Sequence, residues 1–227
     1  MNATIERCSS FLSSQSMSAP TTPAQRRAVT ISRQAGCGAV HVAEKLTAIL
    51  EDRAPRPNAP WTVFDRELMR QVLVDHNLPD YLARFLPEDR ISAIENTLAD
   101  IFGTHPTAET MIRQTAETLL KLAELGGVVL VGRAGNFITA HQPHVLHVRL
   151  VAPLDDRIDR ICRDDRKTPE AALAFCREED AARARFVKTY YHADIEDPTH
   201  YHLVINTSRM GYDATARLIA DALLRLP

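Results

Sequence analysis

Two glycines one residue apart, Gly36-Cys37-Gly38, follow the short apolar run Ala28–Ser32 and precede a helical spacing of Val40, Ala43, Leu46 and Leu50. A glycine turn placed there lets the backbone approach a ligand, and the unpaired N–H groups and dipole of a helix start favour an anion. Phosphate binding is the chemistry this suggests; a tight turn with no ligand is the plain alternative. Aligned to GxxxxGK[ST] with Gly38 as its second glycine, the chain has Arg33 at the first glycine, Ala39 at the lysine and Val40 at the hydroxyl residue. The charge that lysine brings to the β- and γ-phosphates is then missing, as is the hydroxyl that would ligate magnesium. Arg33 is the nearest substitute, and the expected phosphate-holding stretch is Ser32, Arg33, Gln34, Ala35, Gly36, Cys37, Gly38, Ala39 and Val40.

Farther along, Arg157, Arg160 and Arg163 recur every three residues. They occupy one drifting helix face about 120° wide, which suits a cluster of phosphates. The same residues form i,i+4 pairs, Asp156 with Arg160 and Asp159 with Arg163, that would lace a solvated helix without any ligand. Cys37 stands at a helix start, a setting that lowers a thiol pKa. His141, His144 and His147 are separated by Pro143 and a loop-to-strand change, so they share no helical face and imply no metal site.

Several segments together resemble the cytidylate kinase-like family. Ile31-Ser32-Arg33-Gln34, Gly36-Cys37-Gly38 and Val42-Ala43-Glu44-Lys45-Leu46 are similar to its opening ISRxxGSGGxxIAxxL pattern. Val131-Gly132-Arg133-Ala134-Gly135-Asn136 resembles its GRGAN segment, and Leu146–Pro153 with Arg157-Ile158 resembles its LxVxxxAPxxxRI stretch. Asp180, Arg183, Tyr190-Tyr191, Asp194 and Tyr201–Thr207 match its DxxRxxYxxxYxxxD and YDLVINT endings. The likeness spans nearly all of residues 28–222.

This resemblance implies a three-layer P-loop kinase-like α/β fold: a five-stranded parallel sheet with helices on both faces, a helical monophosphate-binding insertion at about 65–126 and a helical lid at about 154–191. It implies transfer of the γ-phosphoryl of ATP to CMP or a related small acceptor with Mg2+, a reaction catalysed mainly by positioning and charge neutralisation. Catalytic roles then fall to Arg33, Arg133, Arg160 and Arg163, and acceptor binding to Asp65, Arg66, Arg133, Asp180 and Arg183. Arg133, just past the third strand, would grip the acceptor phosphate with its planar fork. Cytidylate kinases carry GRD there, and Ala134 removes the aspartate. Asp65-Arg66 resembles the family's turn after the second strand; as plain chemistry it is a helix cap. Ion pairing is the bland account of Arg133, Asp180 and Arg183.

The elements that must position these residues read as alternating strands and helices. Arg53–Pro60 has three prolines and reads as a loop, followed by a strand at Trp61–Phe64 and a helix from Asp65 to Leu73. Ile91–Phe102 and Thr107–Leu125 have helical spacing, and Gly126-Gly127 ends the second of these. Val128–Val131 and Val145–Ala152 read as strands, Pro153 to about Arg166 and Thr168-Pro169 to about Tyr191 as helices, His202–Thr207 as a fifth strand and Tyr212–Leu226 as the last helix. Strands separated by helices imply a parallel sheet, with ligands at the carboxyl ends of its strands.

Composition bounds the alternatives. At 227 residues, with 45% hydrophobic and 25% charged residues, the chain suits one globular domain, residues 28–227, behind a flexible tail at 1–27. A net charge of −2 disfavours a nucleic-acid partner, leaving nucleotides as the expected ones. Four cysteines without a CxxC pair suit a reducing, cytoplasmic setting, and no stretch reaches the ~18 apolar residues a membrane span needs. Two further readings stand beside the kinase. One is a nucleotide-binding regulatory protein that has lost catalysis, which Ala39 and Val40 favour. The other is a dinucleotide oxidoreductase with Asp65 on a ribose, which His41 at the third glycine position and the arginine-rich segment oppose.

Overall fold

The computed structural model describes residues 27–54, 60–65, 108–132 and 134–226. The N-terminal tail, the helices expected at Asp65–Leu73 and Ile91–Phe102, Arg66 and Arg133 lie outside the described residues. In chain order the elements are β1 (Ala28–Arg33), α1 (Ala39–Arg53), β2 (Thr62–Phe64), α2 (Ala108–Leu125), β3 (Val128–Val131), α3 (Gly135–Ile138), β4 (Val145–Val151), α4 (Leu154–Asp165), α5 (Pro169–Tyr191), β5 (Leu203–Asn206), α6 (Thr207–Met210) and α7 (Tyr212–Leu224). A 3₁₀ turn, Pro198–His200, precedes β5.

The five strands form one sheet in the order β2-β3-β1-β4-β5, and every neighbouring pair is parallel. This is the expected five-stranded parallel sheet, with β1 at its centre. Successive side chains along a strand point to opposite faces, and the two faces here differ in character. Val29, Ile31, Val129, Val131, Leu146, Val148 and Leu150 pack with Val42, Leu46 and Leu50 of α1 and Ile219 and Leu223 of α7. On the other face Ala28, Val128, Leu130 and Val145 pack with Leu119 and Leu122 of α2 and with Phe64. Burying such side chains fully contributes roughly 1.5–3 kcal/mol each relative to exposure.

That second face changes toward the carboxyl ends of β1 and β4, where the alternation presents Thr30, Ser32, His147 and Arg149, all buried. Register sets Thr30 opposite His147 and Ser32 opposite Arg149. The pairs are bonded: Thr30 Oγ1 lies 2.9 Å from His147 Nδ1, and Arg149 Nη1 donates to Ser32 Oγ at 2.8 Å. A polar ledge therefore sits beside the glycine turn.

Local signals placed most boundaries. Thr168 Oγ1 accepts from Ala171 N, with Pro169 opening α5, as the Thr-Pro pair predicts. Gly126 and Gly127 take φ of 67° and 69° after α2, and Gly126 N donates to Leu122 O, a left-handed helix stop. Asn206 Oδ1 accepts from Ser208 N and Arg209 N, so β5 runs straight into the short α6, and Thr207, expected to end the strand, instead opens that helix. α3 and the 3₁₀ turn are not expected from the sequence, being too short to show periodicity.

Candidate functional site

The glycine turn lies at the carboxyl end of the central strand. Gly36 and Gly38 have φ of 74° and 73°, in the left-handed region that costs a residue with a Cβ ~1–2 kcal/mol. Space forbids a Cβ as well: at Gly38 it would come within 2.3 Å of the Tyr212 ring. Val42 N donates to Gly38 O at 3.0 Å, beginning the ladder of α1, so the N–H groups of Ala39, Val40 and His41 precede it and face outward with the helix dipole.

Two helices brace this turn from outside. Ala35 N donates to Asp180 Oδ1 at 2.7 Å; Arg157 Nη1 donates to Asp180 Oδ2 at 2.6 Å and to Ala35 O at 3.1 Å. Arg160 Nη1 reaches Gly36 O at 3.4 Å and Thr207 Oγ1 at 3.0 Å, while its Nη2 donates to Ser208 Oγ at 2.8 Å. The Arg160 guanidinium also lies over the Tyr212 ring, which stacks on His41. The arginines of α4 thus have different tasks: Arg157 is buried behind the turn, Arg160 closes its side and Arg163 is exposed.

A cleft of about 360 Å³ opens over the turn, lined by Arg33 through His41 together with Asp65, Arg160, Asp164 and Arg183. Behind it, at the ends of β1 and β3, is a pocket of about 20 Å³ bordered by Ser32, Arg33, Gly132, Asn136 and Arg183. Arg33 and Arg183 border both spaces. Arg33 leans toward β3: a Cβ on Gly132 would stand 1.9 Å from its Nη1.

Residues 28–209 match the cytidylate kinase-like family. The chain belongs to that family. It is 27% identical over 164 residues to the cytidylate kinase of Halobacterium salinarum, covering 69% of this chain and 82% of that one. It is 27% identical over 161 residues to the cytidylate kinase of Methanoregula boonei, covering 70% and 78%. A 115-residue stretch is 30% identical to the uronate isomerase of Corynebacterium glutamicum, covering 51% of this chain but only 22% of that protein. Among solved structures, an uncharacterized protein of Eubacterium ventriosum shares the fold at a TM-score of 0.65 and 18% identity, covering 87% of this chain and 98% of its own.

Within the family pattern, the expected site residues separate. The backbone of Gly36–Val40, Arg160, Arg33, Asp65 and Arg183 face the cleft together. The side chains of Ser32 and Gln34 are tied to the sheet: Ser32 Oγ accepts from Arg149 and from Tyr201 Oη, and Gln34 Oε1 accepts from Ala152 N, joining β1 to β4. Asp180 is committed to the turn, and Arg183 bonds Asp180 at 3.3 Å and Glu179 at 2.7 Å. Among the described residues lining the cleft, Arg163 does not appear.

Two opposing effects act on Cys37. A helix start lowers a thiol pKa, yet Cys37 is 1% exposed and burial pushes it up to about 11, with Arg157 opposing. Desolvation wins, and the thiol stays protonated. Among the described residues no cluster of His, Cys, Asp or Glu could hold a metal, and no helix is long and apolar enough to cross a membrane.

Arg149 went unremarked in the sequence. It is 2% exposed, pairs with Glu196 and stands over the Tyr201 ring, tying β4 to the segment before β5. The available signal was a charge at every-other-residue spacing inside an apolar strand, Leu146-His147-Val148-Arg149-Leu150.

Proposed function

We propose that this member of the cytidylate kinase-like family transfers the γ-phosphoryl of ATP to a nucleoside monophosphate, CMP or a related small acceptor. The observation that carries this reading is that Arg33 and Arg183 border both the cleft over the glycine turn and the pocket behind it. A group in transit from a donor in the first space to an acceptor that reaches the second with one phosphate oxygen would pass beside Arg33 and Arg183. Little covalent chemistry is required of the protein in phosphoryl transfer; position and charge supply the acceleration.

The roles follow from placement. The outward N–H groups at the start of α1 hold the donor's phosphates, with Gly36–Val40 shaping their cradle. Arg160, at Gly36 O and in the cleft, brings the cation that Ala39 lacks. Arg33 faces the transferred group and Arg183 the acceptor side; Asp65, Arg66 and Arg133 are acceptor residues by family resemblance alone. Asp180 acts through the turn it holds, a positioning role. Ala39 and Val40 offer Mg2+ no side-chain oxygen, and the aspartates lining the cleft, Asp65, Asp164 and Asp165, form no metal-holding cluster, so Mg2+ would be held by the nucleotide's own phosphates. Bound Mg2+ would neutralise the charge on those phosphates.

A second reading keeps the nucleotide and removes the turnover. Ala39 and Val40 favour a regulatory protein that binds ATP in the same cleft. Purified chain incubated with ATP, Mg2+ and a panel of monophosphates, followed by ADP release, separates the two. Turnover with one acceptor is expected; none with any, despite stabilisation by ATP, supports the regulatory protein. Stabilisation by NAD alone overturns both.

A further inference from the structure

Asn136, in the short α3 that follows β3, is 4% exposed, and its Nδ2 is buried without a hydrogen-bond partner. Leaving a buried donor unsatisfied costs roughly 1–3 kcal/mol, and folded proteins contain few such groups without a ligand or water to answer for them. The neighbouring backbone gives this one no way out. Thr139 Oγ1 donates to Gly135 O and Gly135 packs on Thr30, fixing the start of α3 against the sheet.

Asn136 borders the 20 Å³ pocket together with Ser32, Arg33, Gly132 and Arg183, while Phe186 and Ile195 close its apolar side. A space of ~10–15 Å³ on this measure takes one water-sized group, so the pocket has room for a single oxygen and not for a base or sugar. Arg183 at its border is already paired with Asp180 and Glu179, so the charge that favours an anionic oxygen is that of Arg33, whose Nη1 stands against Gly132; charge-assisted bonds from arginine to phosphate are about twice as strong as neutral ones.

We infer that Asn136 is a specificity-determining residue of the acceptor side, its amide N–H donating to one oxygen of a phosphate monoester held beside Arg33 and Arg183. This rests on the acceptor lying behind the glycine turn, as proposed above. It accounts for the buried polar side chain where an apolar one would pack without penalty. It also sets a preference: an acceptor presenting a neutral hydroxyl or methylene at that point loses both the charge and the amide bond.

The test uses the full chain with Asn136→Leu, which keeps the heavy-atom count and branching and removes the orphan donor, and Asn136→Asp, which keeps the shape and adds a like charge. Probes are CMP and inorganic phosphate, read by thermal stabilisation without ATP, and ADP release with CMP and ATP varied separately. The expected result is a 10- to 100-fold rise in KM for CMP in both variants, with KM for ATP within twofold, matching one lost charge-assisted bond. Asn136→Leu is expected to melt no lower than the parent chain, which separates loss of binding from loss of folding. An unchanged KM for CMP in an active Asn136→Leu chain overturns the inference and leaves a buried water as the amide's partner, with the kinase reading intact. If the parent chain turns over no monophosphate yet phosphate or CMP stabilises it, and Asn136→Leu abolishes that stabilisation, the pocket stands and the kinase reading falls. Stabilisation of parent and variant alike, or of neither, overturns the pocket.

Discussion

Arg157 and Asp180 meet at 2.6 Å behind the glycine turn, and between them they take both polar groups of one residue, Ala35: its N–H goes to Asp180 and its carbonyl to Arg157. The pair joins α4, α5 and the turn at one point. The Arg157 side chain is 8% exposed and that of Asp180 26%, so neither charge is fully solvated once its partner is gone. Asp180→Asn is expected to destabilise the chain by about 2–4 kcal/mol, toward the low end of a broken buried pair because Asp180 keeps some water. Urea unfolding measures it. In a cycle with Arg157→Met the two losses should be strongly non-additive; simple additivity would mean the pair holds nothing together.

Gly38 tests the packing over the turn. Gly38→Ala meets two penalties, the left-handed backbone at φ 73° and the Tyr212 ring at 2.3 Å from the new Cβ. The backbone share is ~1–2 kcal/mol and persists whatever the neighbour does. The steric share should vanish in Gly38→Ala combined with Tyr212→Ala. The double variant is therefore expected to lose less than the sum of the single losses, by thermal unfolding at one pH. Equal or greater loss would show that Tyr212 is not what excludes a side chain there.

Arg160 and Arg163 were indistinguishable by spacing and differ in place. Arg160→Ala removes the cation at Gly36 O and the bonds to Thr207 and Ser208. If the proposed transfer operates, turnover should fall by about 10²-fold or more, approaching the 10³–10⁵ that a single transition-state arginine supplies. Arg163→Ala, on an exposed residue, should stay within twofold. Arg160→Lys keeps the charge without the planar fork, so partial recovery is expected. Equal effects at the two positions in initial rates of ADP release would contradict the assignment of Arg160.

The sheet, the glycine turn and the caps were legible because their causes are local: Gly36-Cys37-Gly38 between a strand and a helix, Thr168-Pro169 before one, Gly126-Gly127 after another. What the sequence hid depends on contacts between distant segments. Arg157, Arg160 and Arg163 share one spacing, and only the packing of α4 on α5 and the turn decides which is buried. Ser32 and Gln34 belong to the expected phosphate-holding stretch, but that stretch does not disclose that parallel register sets β1 against β4, where Arg149 and Ala152 bond their side chains. Spacing makes Arg33 the expected stand-in for lysine at the turn. Its lean over Gly132 follows from β1 lying beside β3, which no local pattern encodes.

His147 makes stability depend on pH. Burial, helped by the neighbouring His202, lowers its pKa from 6.5 to about 4, and the ring bonds Thr30 at 2.9 Å in the neutral form. In the unfolded chain a histidine gains its proton as pH falls through about 6.5. The folded chain refuses that proton until about pH 4. Between those values the unfolded state binds more protons, so stability is fully present above pH 6.5 and declines as pH falls toward 4. At ~1.4 kcal/mol per pH unit the decline amounts to about 3 kcal/mol for this group. Unfolding free energies measured by urea at pH 7.5 and 4.5 should show it, and His147→Gln should flatten the slope by close to one proton. An unchanged slope in that variant would mean that the acid loss arises from other groups.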